Sequence, residues 1–257
     1  MLVLHLPLED AVNPVDISDN PASVIVHGSL KSVEAKLDMG LEFNGNNANR
    51  LEVPHAAKLE GMSALSIAAW VLPRNIASHE GMCIVSKRIT TGDADSYNLF
   101  IWTGQLLEAR VNYAGIIQST TALQDDTWYH IATVWKADEQ KIYIYCNGEI
   151  STEVGYRNFA MGTGVGLLEI GHGSASSPFY KGYADEFEIY NRVLSQEQNY
   201  QNYLSTKDGF YDRRVIVSKD TSLGNKWQCI VTPNDGVQDG TPIYSNILTI
   251  INYPGGD

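Results

Sequence analysis

The stretch "KGYADEFEIYNRVLS", Lys181–Ser195, opens as an alternating β-strand and closes on a helix cap. Successive side chains of a strand point to opposite faces. Taken as one unbroken strand, it sends Glu186, Glu188 and Tyr190 to one face and Asp185, Phe187 and Ile189 to the other, largely apolar, face. Two carboxylates then share a face and the third is turned away. A short helix after it is signalled by Ser195 with Gln198 three residues on, a capping box. Tyr200, Tyr203 and Leu204 follow at helical spacing, and Gly209 is a natural stop.

The same pattern recurs outward from this strand. In "LVLHLPLE" the residues Leu2, Leu4, Leu6 and Leu8 fall on one face, and "RLEVP" alternates likewise. "LSIAAWVLP" is apolar on both faces, as in a strand inside a sandwich. "CIVSK", "YNLFIW", "LLEARVNY", "WYHIATVWK", "KIYIYCN" and "LLEIGH" add further strands. Asn147-Gly148 in "IYIYCNGEI" predicts a type I′ hairpin, whose two central residues both need φ > 0. About ten strands before residue 190, without a long amphipathic helix between them, predict an all-β fold of two antiparallel sheets packed face to face. Beyond the helix, "RRVIVSKD", "KWQCIVTPND" and "YSNILTIIN" read as three more strands. The chain therefore divides into residues 1–205 and a segment 206–257, which is small for an independent β domain.

Composition narrows the function classes. The chain has 257 residues, 44% hydrophobic and 19% charged, which is ordinary for a globular protein. A net charge of −12 argues against a nucleic-acid partner, which wants a basic face, and is compatible with Ca²⁺ or neutral glycans. No apolar run approaches the roughly 20 residues that span a bilayer. "MLVLHLPL" reads as a strand and not as a signal peptide, so the chain is expected to be a piece of a longer protein with neighbouring domains. Cys83, Cys146 and Cys229 lie far apart with no zinc spacing, and Cys83 and Cys146 are expected as buried free thiols. The histidines form no HExxH, and His130 in "WYHIATVWK" is expected as a hydrogen-bonded sheet residue. "MGTGVG" lacks the Lys-Ser/Thr of a phosphate loop, and "GHGSASS" is not G-x-S-x-G.

Aromatic residues beside polar ones are the remaining signal, because sugar rings stack apolar C–H faces on Trp and Tyr while their hydroxyls need polar partners. Trp102 ends a strand that also carries Tyr97, and Arg110, Asn112 and Tyr113 occupy the next strand. His172, Phe179, Tyr180 and Tyr183 flank the loop "SASSPFYKGY". These nine residues are the candidate ligand face. Trp70, Trp128 and Trp135 fit buried-strand patterns and are expected in the core.

The blocks "MGLEFNGNN", "LEVP", "LSIAAWVLP", "IVSK", "DDTWYHIATVW", "KIYIYCNGE", "LLEIGHG" and "GYADEFEIYNRVLS", in this order, resemble the laminin-G-like, concanavalin A-like jelly roll over about residues 2–205. The tail with Trp227-x-Cys229 is similar to the end of an immunoglobulin-like module, here without its opening strands. The resemblance implies a concanavalin A-like jelly roll and a mostly non-catalytic, extracellular or cell-surface module that binds a glycan or glycoprotein in adhesion or substrate targeting. Glycoside hydrolases and polysaccharide lyases share the fold, so an enzyme is one alternative and a structural spacer another. Retaining glucanases of this fold carry an E-x-D-x-E pattern with carboxylates roughly 5–5.5 Å apart. That trio is missing from an unbroken reading of Asp185–Glu188. A lyase would draw on Arg110, Asn112 and Tyr113. The resemblance also implies a structural Ca²⁺ on Asp185, with Glu9, Asp10 or Asp16 and the carbonyls of Asn44 and Gly45. The alternative is that Asp185 caps backbone N–H groups.

Overall fold

The computed structural model describes residues 1–78, 81–89, 95–112, 115–155, 161–173, 179–211, 221–231 and 241–251. The chain divides into two compact units, Met1–Arg213 and Arg214–Asp257.

The first unit is a two-sheet antiparallel sandwich. Its strands are β1 (Leu2–Leu6), β2 (Ile25–His27), β3 (Lys31–Glu34), β4 (Met39–Asn44), β5 (Arg50–Val53), β6 (Ala64–Pro73), β7 (Met82–Arg88) and β8 (Asp95–Trp102). They continue with β9 (Leu106–Val111), β10 (Gly115–Ala122), β11 (Tyr129–Lys136), β12 (Lys141–Cys146), β13 (Glu149–Gly155), β14 (Leu168–Ile170) and β15 (Lys181–Tyr190), before the helix α1 (Gln196–Thr206). An eight-stranded sheet runs β13-β12-β11-β6-β15-β4-β3, with β1 also on β15; a seven-stranded sheet runs β10-β9-β8-β7-β14-β5-β2.

One apolar core fills the space between the sheets. Leu4, Leu6, Ile67, Ala69 and Val71 face inward from the first sheet, and Leu51, Val53, Leu99, Ile101, Leu107 and Ala109 from the second. Each fully buried side chain of this size contributes about 1.5–3 kcal/mol, which is what holds the layers together. Strand β6 is apolar on both faces because its other face lies in a second cluster, Ala68 with Ala132, Val134, Tyr145 and Leu194. Cys83 and Cys146 are both buried, as expected, and neither is in a disulfide. The β12–β13 turn has Asn147 at φ 52° and Gly148 at φ 78°, the conformation its sequence predicts.

Helix α1 starts where its cap demands. Ser195 Oγ accepts from Gln198 N, and Gln198 Oε1 accepts from Ser195 N at 3.1 Å. Beyond its end, Gly209 takes φ 85°. The helix does not bury Tyr200, which is exposed; it buries Gln198, Asn199 and Thr206. Asn199 donates to the carbonyls of Leu194 and Ser195. Thr206 Oγ1 accepts from Trp70 Nε1 of β6 at 3.0 Å. The glycine loop "MGTGVG" also has a structural role: the buried Lys87 ammonium donates to the Gly166 carbonyl at 2.8 Å.

The second unit pairs β16 (Lys226–Trp227) with β19 (Leu248–Thr249), and β17 (Ile230–Val231) with β18 (Ile243–Tyr244). Ile230, Val231, Ile243 and Leu248 are exposed, and Cys229 is an exposed free thiol. Two of the expected strands lie here, each broken into short pieces; the expected strand in "RRVIVSKD" lies outside the described residues.

Candidate functional site

The outer face of the seven-stranded sheet gathers the aromatic and polar candidates. Cross-strand register aligns Cys83, Phe100, Glu108 and Gln118 in one row, and Glu169, Ser86, Asn98, Arg110 and Ile116 in the next. Residues directly opposite one another share a face, so these rows lie side by side on the sheet. Arg110 stacks its guanidinium 5.0 Å from the Phe100 ring and 5.1 Å from the Trp102 ring. The same guanidinium is fixed by Glu108, whose Oε1 accepts from Arg110 Nε at 2.6 Å and whose Oε2 accepts from Gln118 Nε2 at 2.8 Å. Phe100 and Glu108 are buried beneath this layer, Trp102 and Arg110 are half-buried, and Gln118 is exposed. The result is an aromatic plane edged by amide and guanidinium donors, each held in place by the carboxylate below.

A second aromatic pair adjoins it. His172 and Phe179 stack with ring centroids 4.9 Å apart and planes 17° from parallel. Phe179 bridges to Cys83, which places the pair beside the Phe100 row. His172 Nε2 meets Asn47 Oδ1 at 2.9 Å, and its Nδ1 lies 3.2 Å from Glu169. Burial alone would raise the Glu169 carboxyl, but His172, Arg88 and Arg50 outweigh it and hold the carboxyl below its ordinary value.

The other expected ligand-face residues separate. Tyr97 is 1% exposed, faces inward from β8 and donates its hydroxyl to the Leu59 carbonyl, so it is a core residue. Tyr180, also 1% exposed, packs against Phe43 and donates to the Tyr183 carbonyl, so it too is core. Asn112 is half-buried just past the end of β9, where it takes φ 51°. Tyr113 lies outside the described residues. Tyr183 lies on the opposite sheet, beneath Arg74 at 4.1 Å and beside Trp128. Trp128 is half-buried in that patch and is not a core residue, whereas Trp70 and Trp135 are buried.

The acidic strand corrects the unbroken reading. Asp185 pairs with Trp70 and Glu188 with Ala68, so three steps along β15 span two along β6. The extra residue is Glu186, at φ 50°. This is a β-bulge, and a bulge shifts the alternation by one. Ala184, Phe187 and Ile189 point into the core. Trp70 and Ala68 point outward, so Asp185 and Glu188 do as well, and Glu186 reaches His5 Nε2 on β1 at 2.8 Å. All three carboxylates therefore share the outer side of the eight-stranded sheet. A left-handed residue with a side chain costs about 1–2 kcal/mol. The bulge sits where β15 changes neighbours, between its pairing with β4 and its pairing with β1.

The acids are not equivalent. Asp185 is fully buried; its Oδ2 accepts from Leu37 N at 2.7 Å, and burial lifts its carboxyl to about 8. Burial also raises Glu188, against the pull of His5 and of Tyr190, whose hydroxyl donates to Glu188 at 2.8 Å. Burial would lower His5, but its hydrogen bond to Glu186 and the charges of Glu188, Glu186 and Asp16 leave it raised. Glu186 and Glu188 open into a cleft of about 80 Å³ beside α1. Ligand pockets run to about 300–1,000 Å³, so a sugar ring has no room there.

The expected calcium ligands do not assemble. Asp10 caps Val12 and Asn13. Asp16 accepts from the backbone of His5, Ser18 and Ala22 and pairs with Lys58 at 3.0 Å. Asn44 pairs with Lys181, four residues along β15 from Asp185, which is about 13 Å at strand rise. Gly45 lies beyond it, against the Lys181 side chain. Ca²⁺ holds its oxygens at about 2.3–2.6 Å, so Asp185, Asp10, Asp16, Asn44 and Gly45 do not fit one ion. Among the described residues no three His, Cys, Asp or Glu side chains are gathered for a metal. Asp185 instead caps the Leu37 N–H.

This sandwich, with its sheet order and, among the described residues, one short α-helix, is a jelly roll of the lectin and glucanase type. Residues 44–198, more than half of the chain, match the laminin G type of the concanavalin A-like lectin/glucanases superfamily, and the chain belongs to that family. No curated protein sequence matches it. Among solved structures it is similar to the binding domain of Paraclostridial mosquitocidal protein 1, at 15% identity and a TM-score of 0.64, over 100% of this chain and 69% of that one. It is also similar to the receptor-binding domain of botulinum neurotoxin type G, at 14% identity and a TM-score of 0.61, over 79% of this chain and 51% of that one. A third is the structure reported with cell entry of botulinum neurotoxin type C, which is described as dependent on interaction with two ganglioside molecules; it has 13% identity and a TM-score of 0.64, over 80% and 51%. The chain spans about half the length of the neurotoxin binding domains it matches. At these identities the likeness is one of fold.

Phe100, Glu108 and Gln118 were not among the sequence candidates. Their signal was available in the period of two, since Phe100 precedes Trp102, and Glu108 precedes Arg110, by two residues on one strand face.

Proposed function

We propose that this chain is a non-catalytic carbohydrate-binding module of a larger extracellular or cell-surface protein, and that it meets its glycan on the outer face of the seven-stranded sheet. The observation that carries this reading is the Trp102–Arg110–Glu108–Gln118 assembly. A half-open indole plane offers stacking to a pyranose, and the immobilised guanidinium and amide offer donors to its hydroxyls. Holding the donors beforehand lowers the ordering cost of binding. His172, Phe179 and Asn47 extend the face for a further sugar unit. The family and the binding domains that share the fold support a binder, and the small cleft at Glu186 and Glu188 supports a non-catalytic role for those acids.

The test is a glycan array read with the whole chain, its Trp102→Ala variant, and both again in EDTA. At least one glycan class is retained by the wild type, Trp102→Ala weakens it by about tenfold or more, and chelation leaves it unchanged. A chain that retains no glycan is a spacer, and retention untouched by Trp102→Ala removes this face from the reading.

A further inference from the structure

The outer face of the eight-stranded sheet carries an aromatic patch that the glycan face does not include. Cross-strand register sets Lys31, Glu42, Tyr183 and Leu72 in one row across β3, β4, β15 and β6. Trp128 continues the row: the residue after it, Tyr129 of β11, faces the core opposite Val71, the neighbour of Leu72. Leu72 therefore stands between Tyr183 and Trp128. Strands two places apart in a sheet are separated by about 9–10 Å. The centroids of the two rings are only 6.5 Å apart, with planes 50° from parallel. Both rings thus lean over Leu72, which is 8% exposed, and make one aromatic surface above it.

Polar groups are fixed around this surface. Arg74 lies with its guanidinium 4.1 Å from the Tyr183 ring centroid, and its Nε donates to Asp126 Oδ1 at 2.7 Å. Asp126 and the Tyr183 side chain engage only part of a guanidinium that carries five N–H donors, so N–H groups remain for a ligand. Glu42 Oε1 lies 3.9 Å from Arg74 Nη1 and is a half-buried acceptor at the rim. Trp128 is half-buried, and among the described residues nothing accepts from its Nε1. The charges balance, with Arg74, Lys31 and Lys181 against Glu42, Asp126 and Asp125. A neutralised patch has no hold on an ionic ligand. An indole face with N–H donors and a carboxylate acceptor beside it is what an uncharged pyranose uses. The same combination stands on the seven-stranded sheet, where Arg110 stacks on Trp102 and is held by Glu108.

We propose that Trp128, Tyr183 and Arg74 form a second carbohydrate-binding platform, for one uncharged pyranosyl unit, so that a single chain holds two glycans. Trp128 is the stacking residue, its Nε1 and Arg74 are the donors, and Glu42 is the acceptor. The class of ligand rests on the reading above; the place of binding is separate from it. The two platforms lie on opposite outer faces of a sandwich whose sheets pack about 10 Å apart, so they face opposite directions. The second platform has no counterpart of the His172–Phe179 pair that extends the first, so it is the weaker of the two, and retention of a longer glycan is governed by Trp102.

The test is fluorine NMR of the whole chain labelled with fluorotryptophan, with the Trp102 and Trp128 signals assigned by Trp102→Phe and Trp128→Phe. The probes are the methyl glycosides of glucose, galactose, mannose and N-acetylglucosamine. At least one of them is expected to move the Trp128 signal saturably, while the signal of Trp135, buried elsewhere in the sheet, stays in place. Arg74→Ala weakens that titration by about tenfold or more, and an unmoved Trp135 signal shows that the variant is folded. In Trp102→Ala the Trp128 titration persists. Movement of Trp102 without Trp128 overturns this proposal and leaves the first platform standing; movement of Trp128 without Trp102 supports it and removes the first. A Trp128 signal that no glycoside moves, that moves only while Trp102 is present, or that titrates undiminished in folded Arg74→Ala overturns the proposal.

Discussion

The two outer faces of the sandwich use charged residues in opposite ways. On the seven-stranded sheet, Glu108 is paired with Arg110 and Glu169 lies between Arg50 and Arg88, so each buried carboxylate has its counter-charge. On the eight-stranded sheet, Asp185, Glu186 and Glu188 crowd together with His5. The first arrangement leaves a neutralised, aromatic surface whose donors are fixed. The second crowds acids whose carboxyl groups burial raises, with His5 set among them. Residue types are similar on both faces; the pairing of each acid decides what the face can do.

The contrast rests first on the bulge. Ala184 and Phe187 face the core together only because Glu186 is an extra residue between them, and Phe187→Ala is expected to lower stability by about 3–5 kcal/mol in urea denaturation. A loss below about 1 kcal/mol would place Phe187 outside the core and break the pair of inward side chains, Ala184 and Phe187, that the bulge accounts for.

The next effect concerns pH. Asp185 binds its proton more tightly folded than unfolded, so between its unfolded value near 4 and its folded value of about 8 the native state holds the extra proton. Stability from this group is therefore full at acid pH and is lost as pH rises through that window. Glu188 and His5, both raised, act in the same direction. The wild type is expected to lose melting temperature from about pH 5 to about pH 9, and Asp185→Asn to flatten that loss by about 1–3 kcal/mol. Parallel pH profiles for the two proteins would mean that Asp185 ionises freely and that the acidic face carries no stored proton.

The smallest effect is at the helix that borders the acidic face. Ser195→Ala removes the hydroxyl half of the capping box, leaving the backbone N–H of residue 195 to Gln198 Oε1, and is expected to cost about 1 kcal/mol, read as a lower urea midpoint at unchanged slope. A null result would show that Asn199 and the Trp70–Thr206 hydrogen bond hold α1 by themselves.

Features encoded within a few neighbouring residues were legible in the sequence. The Asn147-Gly148 turn, the Ser195–Gln198 cap and the two-faced burial of β6 follow from φ preferences, hydrogen-bond reach and hydrophobic period. Trp102 and Arg110 were also legible as neighbours across a hairpin. Tyr97 and Tyr180 were misplaced because a tyrosine with a buried carbonyl to bond is as comfortable inside as outside, and composition does not reveal that carbonyl. The calcium set failed for a related reason: the order of the blocks brings β1, β4 and β15 together, but the register that separates Asn44 from Asp185 is absent from it.

By itself the amino-acid sequence determined the layered all-β architecture, the turn and cap positions and the family, because alternation and turn chemistry act over two to four residues at a time. Only the tertiary structure decided which way Asp185 points. The bulge at Glu186 arises where β15 exchanges one partner strand for another, and a one-residue insertion in a period-two pattern leaves no local mark while reversing every side chain beyond it.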